Sequence, residues 1–127
     1  MVEKNIIYKT KELERYYSRN RIKWKEFYPS EKKIINLLNI KNKKILDLGC
    51  ACGGLGVVLK KKFKKISYTG VEINKRSANR AKLLNKSSKI INCDLLNLNK
   101  FLNKKFDFVF AFSVIDWNVK YELMLKK

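Results

Sequence analysis

Ile45-Leu46-Asp47-Leu48-Gly49-Cys50-Ala51-Cys52-Gly53-Gly54 sets a short apolar run directly before a cluster of small residues. The run Ile45 to Leu48 reads as a buried strand, and Leu55 to Phe63, which follows, reads as a helix with Leu55, Val58, Leu59 and Phe63 on one face. The glycines therefore fall in the turn between a strand and a helix. There the backbone must bend sharply and let a ligand come close. In an open α/β sheet that turn lies at the carboxyl ends of the strands, where ligands bind. A glycine-rich turn alone does not choose among the cofactors such folds hold.

Outward from this turn the alternation continues. Ile66 to Ile73 reads as a second strand, and Lys75 to Leu84 as a second helix, capped by Asn74 with Ala78, Ala81 and Leu84 on its buried side. Lys89 to Cys93 and Phe106 to Phe112 read as further strands, and Val119 to Leu125 as a short closing helix. Nearly continuous apolar strands separated by helices predict a parallel sheet covered by helices on both faces. Lys60, Lys61, Lys64 and Lys65 crowd the end of the first of these helices, where cations suit the negative pole of the helix dipole. Upstream, the chain to about Leu38 reads as helical. Pro29 is its single proline, Ser30 is the expected N-cap, and Ile34, Ile35, Leu37 and Leu38 are expected on one apolar face. Asn39 to Lys44 reads as a turn. The expected organisation is an N-terminal helical segment over 1–40 and an α/β core over 41–127.

Charge separates the cofactors. A dinucleotide places its pyrophosphate against the glycine turn, where an acidic side chain repels it. Asp47 stands two residues before the first glycine, and Ala51 occupies the place where a dinucleotide fingerprint wants its middle glycine. S-adenosylmethionine has no phosphate and carries a positive sulfonium and a positive amino group, so carboxylates around its pocket are favourable. Two more carboxylates close strands: Glu72, placed to accept from both ribose hydroxyls, and Asp94, placed to accept from the adenine amino group.

Four segments in order now carry a resemblance. Ile45 to Gly54 resembles the first motif of the class I S-adenosylmethionine-dependent methyltransferases, and Val71-Glu72-Ile73 resembles the second. Cys93-Asp94-Leu95 resembles the third, and Phe106-Asp107-Phe108-Val109-Phe110 the fourth-strand motif. The resemblance implies a Rossmann-like sheet of strand order 3-2-1-4, truncated relative to the family's seven strands. It implies that Gly49, Cys50, Ala51 and Gly53 pack against the methionine part of the cofactor and that Asp47 orients the loop or the amino group. It further implies that Glu72 holds the ribose, that Ile73, Asp94 and Leu95 frame adenine, and that Phe112 and Ser113 border the methyl group. Ala51 departs from the family's commoner glycine by one methyl group and is expected to permit binding. The family's remaining strands do not follow, so the apolar strand Phe106 to Phe112 is expected at a sheet edge that calls for a missing segment or a partner.

The acceptor is not written in these motifs, and a small molecule is favoured over nucleic acid. The residues after the fourth strand, Phe112-Ser113-Val114-Ile115-Asp116, lack the Asn- or Asp-Pro-Pro-aromatic pattern that amino-methyltransferases of adenine and glutamine resemble one another in, and no cysteine follows Cys93 to attack cytosine. With no histidine in the chain, an internal base would be a carboxylate, Tyr or Lys. Asp116 stands nearest, though a helix cap is its commoner role. No catalytic residue is assigned.

Other classes weigh less. The 127 residues fit one domain, and 46% hydrophobic residues suffice for a core. No apolar run reaches a membrane span and no signal sequence opens the chain, so a cytoplasmic protein without membrane contact is expected. Cys50, Cys52 and Cys93 predict free thiols, and Cys50-Ala51-Cys52 lacks the second ligand pair of a zinc site, so no metal is expected. Thirty Lys and Arg against eleven Asp and Glu give a net charge of +19. Such an excess attracts nucleic acid, but lysine recurs from end to end without a single stripe, which favours compositional bias over a dedicated face. The aromatic and basic run Tyr16 to Lys25 predicts a leading helix over the cofactor, with Tyr17, Arg21 and Trp24 as lid residues or simply as packing against the sheet. A cofactor-binding remnant without catalysis and a basic nucleic-acid-binding module are the alternatives to an active enzyme.

Overall fold

A computed structural model of the chain describes residues 11–100 and 105–112. Its elements are helix α1 (Lys11–Arg19), a 3-10 turn (Trp24–Glu26), α2 (Pro29–Leu37), β1 (Lys44–Leu48), α3 (Gly54–Lys62), β2 (Ser67–Glu72), α4 (Lys75–Leu84), β3 (Lys89–Asn92), a 3-10 turn (Leu95–Lys100) and β4 (Phe108–Phe110). The four strands form one parallel sheet in the order β3-β2-β1-β4, as the sequence predicts. Ser113, Asp116 and the expected helix Val119 to Leu125 lie outside the described residues.

The sheet's two faces follow from strand alternation. Ile45, Tyr68, Ile90 and Phe110 point to the face covered by α2, α3 and α4, where Ile35, Ile40, Leu55, Val58, Leu59, Ala78 and Ala81 complete the main core. Leu46, Val71 and Ile91 point to the other face, against Leu95, Leu98 and Phe106. Asp107 fastens β4 to β1: its carboxylate accepts from the Lys44 N–H and its own N–H donates to the Lys44 carbonyl, both at 2.8 Å.

Five local expectations need correction. The leading segment is not one helix but α1, a 3-10 turn and α2, broken where Arg21 takes a left-handed φ of 59°. Ser30 is not the cap. Pro29, whose fixed φ suits the first helical position, opens α2, and Glu31 accepts from the Tyr28 N–H at 2.8 Å. The inward face of α2 runs through Glu31 and Ile35, leaving Ile34 and Leu37 exposed, and Glu31 is held there by an ion pair with Arg21 at 2.6 Å. On α4, Leu84 is exposed and Asn85 is buried in its place, one helical step after Ala81, with its Nδ2 donating to the Gly53 and Ala81 carbonyls at 3.1 Å. The fourth strand is also shorter than expected, three residues rather than seven.

Candidate functional site

The turn after β1 is curled by three left-handed residues, Gly49 (φ 71°), Ala51 (φ 50°) and Gly53 (φ 78°). Four of its amides are already used. Gly49 and Cys50 both donate to the Val71 carbonyl, at 2.8 and 2.9 Å, Ala51 donates to Glu72 Oε1 at 2.9 Å, and Gly53 donates to the Cys50 carbonyl at 2.8 Å. A phosphate-binding turn presents free amides to its ligand, and this one spends those of Gly49, Cys50, Ala51 and Gly53 on β2 and on itself. The turn is thus built to lie flat against the end of β2 rather than to cradle phosphate.

Close approach of the two strands makes this possible. A Cβ on Gly70 would lie 2.7 Å from Cys50 Sγ, so glycine at position 70 gives Cys50 its seat. A Cβ on Gly54 would lie 1.8 Å from the Arg21 carbonyl, so the chain before α2 rests directly on the start of α3. The Cys52 thiol donates to the Glu14 carbonyl at 3.5 Å, and Arg80 pairs with Glu14 at 3.1 Å, which tie α1 across the turn and α4. Burial raises the Cys50 thiol well above its ordinary pKa and the Cys52 thiol to about 11, so both stay protonated at neutral pH.

Glu72, buried at the end of β2, bridges the site. Its Oε1 accepts from Ala51 and its Oε2 from the Asn74 N–H at 2.8 Å, while Asn74 caps α4 by accepting from Ser77 at 3.0 Å. Burial pushes the Glu72 pKa up, and the N–H groups of Asn74, Ala51 and Ile73 draw it back. These bonds do not exhaust the acceptor sites of a carboxylate. Asn92 Nδ2 donates to the Glu72 and Ile73 carbonyls at 2.8 and 3.0 Å, binding the ends of β2 and β3 together. Asp94 accepts from Leu96 at 3.0 Å and opens the turn that carries Leu95. Phe112 stacks on Phe110 with ring centroids 5.2 Å apart. Every described residue expected to line the site therefore falls at the carboxyl end of β1, β2, β3 or β4.

Asp47 has a partner that the sequence reading missed. Tyr68 Oη donates to Asp47 Oδ2 at 2.5 Å beneath the turn, and both side chains are buried. Desolvation lifts the Asp47 pKa to about 7 despite this bond, with the charge of Glu72 adding to the rise. The alternation of β2 was the available signal, since it puts Tyr68 on the same face as Gly70 and Glu72. In the leading segment Arg21 is engaged by Glu31 and lies over the Phe27 and Tyr28 rings, and Trp24 packs against the core beneath Lys62. Tyr17 is partly buried, and its hydroxyl pKa is raised by burial, with Arg21 and Glu72 both acting on it.

The family model "Methyltransferase domain" matches residues 45–126, from β1 to beyond the fourth-strand motif. The chain belongs to this family. The methyltransferase domain is of the class I, S-adenosylmethionine-dependent type, and four strands of its sheet lie among the described residues. It is 31% identical over 86 residues to (S)-coclaurine N-methyltransferase of Papaver somniferum, an alignment covering 65% of this chain and 24% of that protein. The chain thus spans about a quarter of the length of this curated relative. Among solved structures it resembles CrArsM, an arsenic(III) S-adenosylmethionine methyltransferase from Chlamydomonas reinhardtii, with TM-score 0.57, 22% identity and coverage of 68% of this chain and 34% of that one. It also resembles the S-adenosylmethionine-bound amino pentose methyltransferase CalS10 of Micromonospora echinaspora, with TM-score 0.55, 20% identity and coverage of 64% and 33%. At these identities the two structures speak to the fold. Among the described residues, no helix is long and apolar enough to cross a membrane.

Proposed function

We propose that the methyltransferase domain binds S-adenosylmethionine across the carboxyl ends of β1 to β4 and takes part in methyl transfer to a small-molecule acceptor. The observation that carries this reading is the buried carboxylate Glu72, which still has acceptor capacity, beside a turn that spends four of its amides on β2 and on itself. That donor set suits a cationic, phosphate-free nucleoside and opposes a pyrophosphate. Gly49, Cys50, Ala51 and Gly53 flank the methionine part, and Glu72 accepts from the ribose hydroxyls. Ile73, Asp94 and Leu95 frame adenine, and Phe112 borders the methyl group. Asp47 acts from beneath, stabilising the cofactor's positive charge as its own carboxyl ionises.

Bound S-adenosylmethionine supplies an electrophilic methyl group on a sulfonium. The chain's contribution is positional: the flat turn and the Glu72 bridge fix the nucleoside, α1 covers the turn, and the aromatic end of β4 excludes water from the reacting side. A small amine-bearing acceptor is supported by the N-methyltransferase relative. Calorimetric titration with S-adenosylmethionine tests the cofactor site, with binding expected in the wild type and lost in Glu72→Ala; a folded wild type that takes up no cofactor at millimolar concentration overturns the reading. Transfer of radiolabelled methyl to a panel of small amines, with RNA as the comparison acceptor, tests the substrate class.

A further inference from the structure

The lysines that run evenly along the sequence are not evenly placed in space. All four strands start at one end of a parallel sheet, and α3 and α4 return their carboxyl termini to that same end. The topology therefore gathers Lys41, Lys44, Lys64, Lys65, Lys89 and Lys105 at a single pole, all exposed. Lys61, Lys62 and Lys82, also exposed, join them from the last turns of the helices. Within residues 41–44, 60–67, 82–89 and 105–107 the one carboxylate is Asp107, and it is occupied by the Lys44 backbone. The carboxylates Asp47, Glu72 and Asp94 all stand at the opposite end of the strands. Clustering like charge without acidic relief works against stability, so fold maintenance alone does not call for it.

A second feature adjoins this pole. Beside the end of α3, a groove of about 340 Å³ is floored by Ile22, Trp24 and Val58 and rimmed by Lys23, Lys61 and Lys62. Its size and apolar floor suit a planar ring, and Lys62 now lies over the Trp24 ring with its Nζ 4.4 Å from the centroid. Lysines spread along a sheet edge about 14 Å wide, from three strand spacings, follow an extended phosphodiester chain, and an aromatic floor beside them offers a place for one base. Exposed Asn42, Ser67 and Ser87 on the same segments add phosphate donors.

We propose that this basic pole and the Trp24 groove together bind single-stranded nucleic acid, at the end of the sheet opposite the cofactor site. The contact is with backbone phosphates, so it carries little sequence preference, and it does not depend on the methyltransferase reading. Fluorescence anisotropy of labelled 12-nucleotide RNA and DNA strands, over a salt series and without cofactor, tests it. A pole variant, Lys41, Lys44, Lys64 and Lys89 all to Gln, is compared with Arg15, Lys33, Lys75 and Arg76 all to Gln; each removes four positive charges, and circular dichroism checks that both stay folded. The pole variant is expected to bind at least tenfold more weakly and to lower the slope of log affinity against log salt by up to about 3, at roughly 0.7 per phosphate contact, while the comparison variant stays within about twofold. Trp24→Leu is expected to weaken binding roughly fivefold or more with the salt slope unchanged. Equal weakening by the two charge variants, full affinity in Trp24→Leu, or a preference for phosphatidylserine vesicles over both oligonucleotides overturns the proposal.

Discussion

Tyr68 Oη and Asp47 Oδ2 meet at 2.5 Å on adjacent strands, under the glycine-rich turn after β1. Burial outweighs this bond and holds the Asp47 carboxyl at a pKa of about 7, against an ordinary value of 3.8. The native state therefore keeps a proton that the unfolded chain releases between about pH 4 and 7. Through that window the unfolded state binds fewer protons, so stability falls as pH rises, by up to about 4 kcal/mol for a shift of this size. Asp47→Asn keeps the shape without the charge. Urea denaturation at pH 5 and pH 8 is expected to show a smaller pH dependence for Asp47→Asn than for the wild type; equal slopes in the two proteins would count against a buried, protonated Asp47.

Cofactor binding is expected to draw on the same group. A cation placed above the turn favours ionised Asp47, so S-adenosylmethionine binding should release protons near pH 7 and tighten as pH rises from 6 to 8. Calorimetry in buffers of different ionisation enthalpy reads the proton count, and binding without proton release would separate Asp47 from the cofactor.

Glu72 joins the turn to α4 through Ala51 and Asn74. Glu72→Gln keeps the volume but turns an N–H against one of two N–H donors, and a hydrogen bond to a charged group is worth about 1.5–3 kcal/mol. At least a tenfold loss of S-adenosylmethionine affinity is expected, with a lowered melting temperature.

Ala51 holds a φ of 50°, a conformation that costs an L-residue about 1–2 kcal/mol and glycine almost nothing. Set against the greater unfolded-state entropy of glycine, about 0.5–1 kcal/mol, Ala51→Gly should gain slightly. A melting temperature roughly 2–4 °C higher, with cofactor binding retained, is the expected result.

Gly54 lies so close to the Arg21 carbonyl that Gly54→Ala must push the leading segment away. Overpacking of this kind costs about 1–3 kcal/mol. Limited trypsin digestion should cut after Arg19 or Arg21 earlier in this variant than in the wild type, and unchanged protection would show that the segment is held elsewhere.

The strand-turn-helix units were legible because each rests on local chemistry. Apolar runs, Asn74 as a cap and glycines at left-handed positions each act within a few residues, and α4 keeps the bounds its sequence predicts. Carboxylates at strand ends were legible for the same reason, and with them the cofactor class and the family. The leading segment was harder, since Arg21, Glu31 and the start of α3 settle its path from distant parts of the chain.

By itself, then, the sequence determined the order of elements from β1 to β4, the parallel sheet and the three acidic strand ends, all properties of short windows and their periodicity. Only the tertiary structure decided that Asp47 belongs to Tyr68, that the turn's amides belong to β2, and that lysines spread over the whole chain share one pole. The physical reason is that a parallel sheet brings together positions separated by twenty or more residues, and hydrogen bonds, burial and electrostatic fields depend on distance in space.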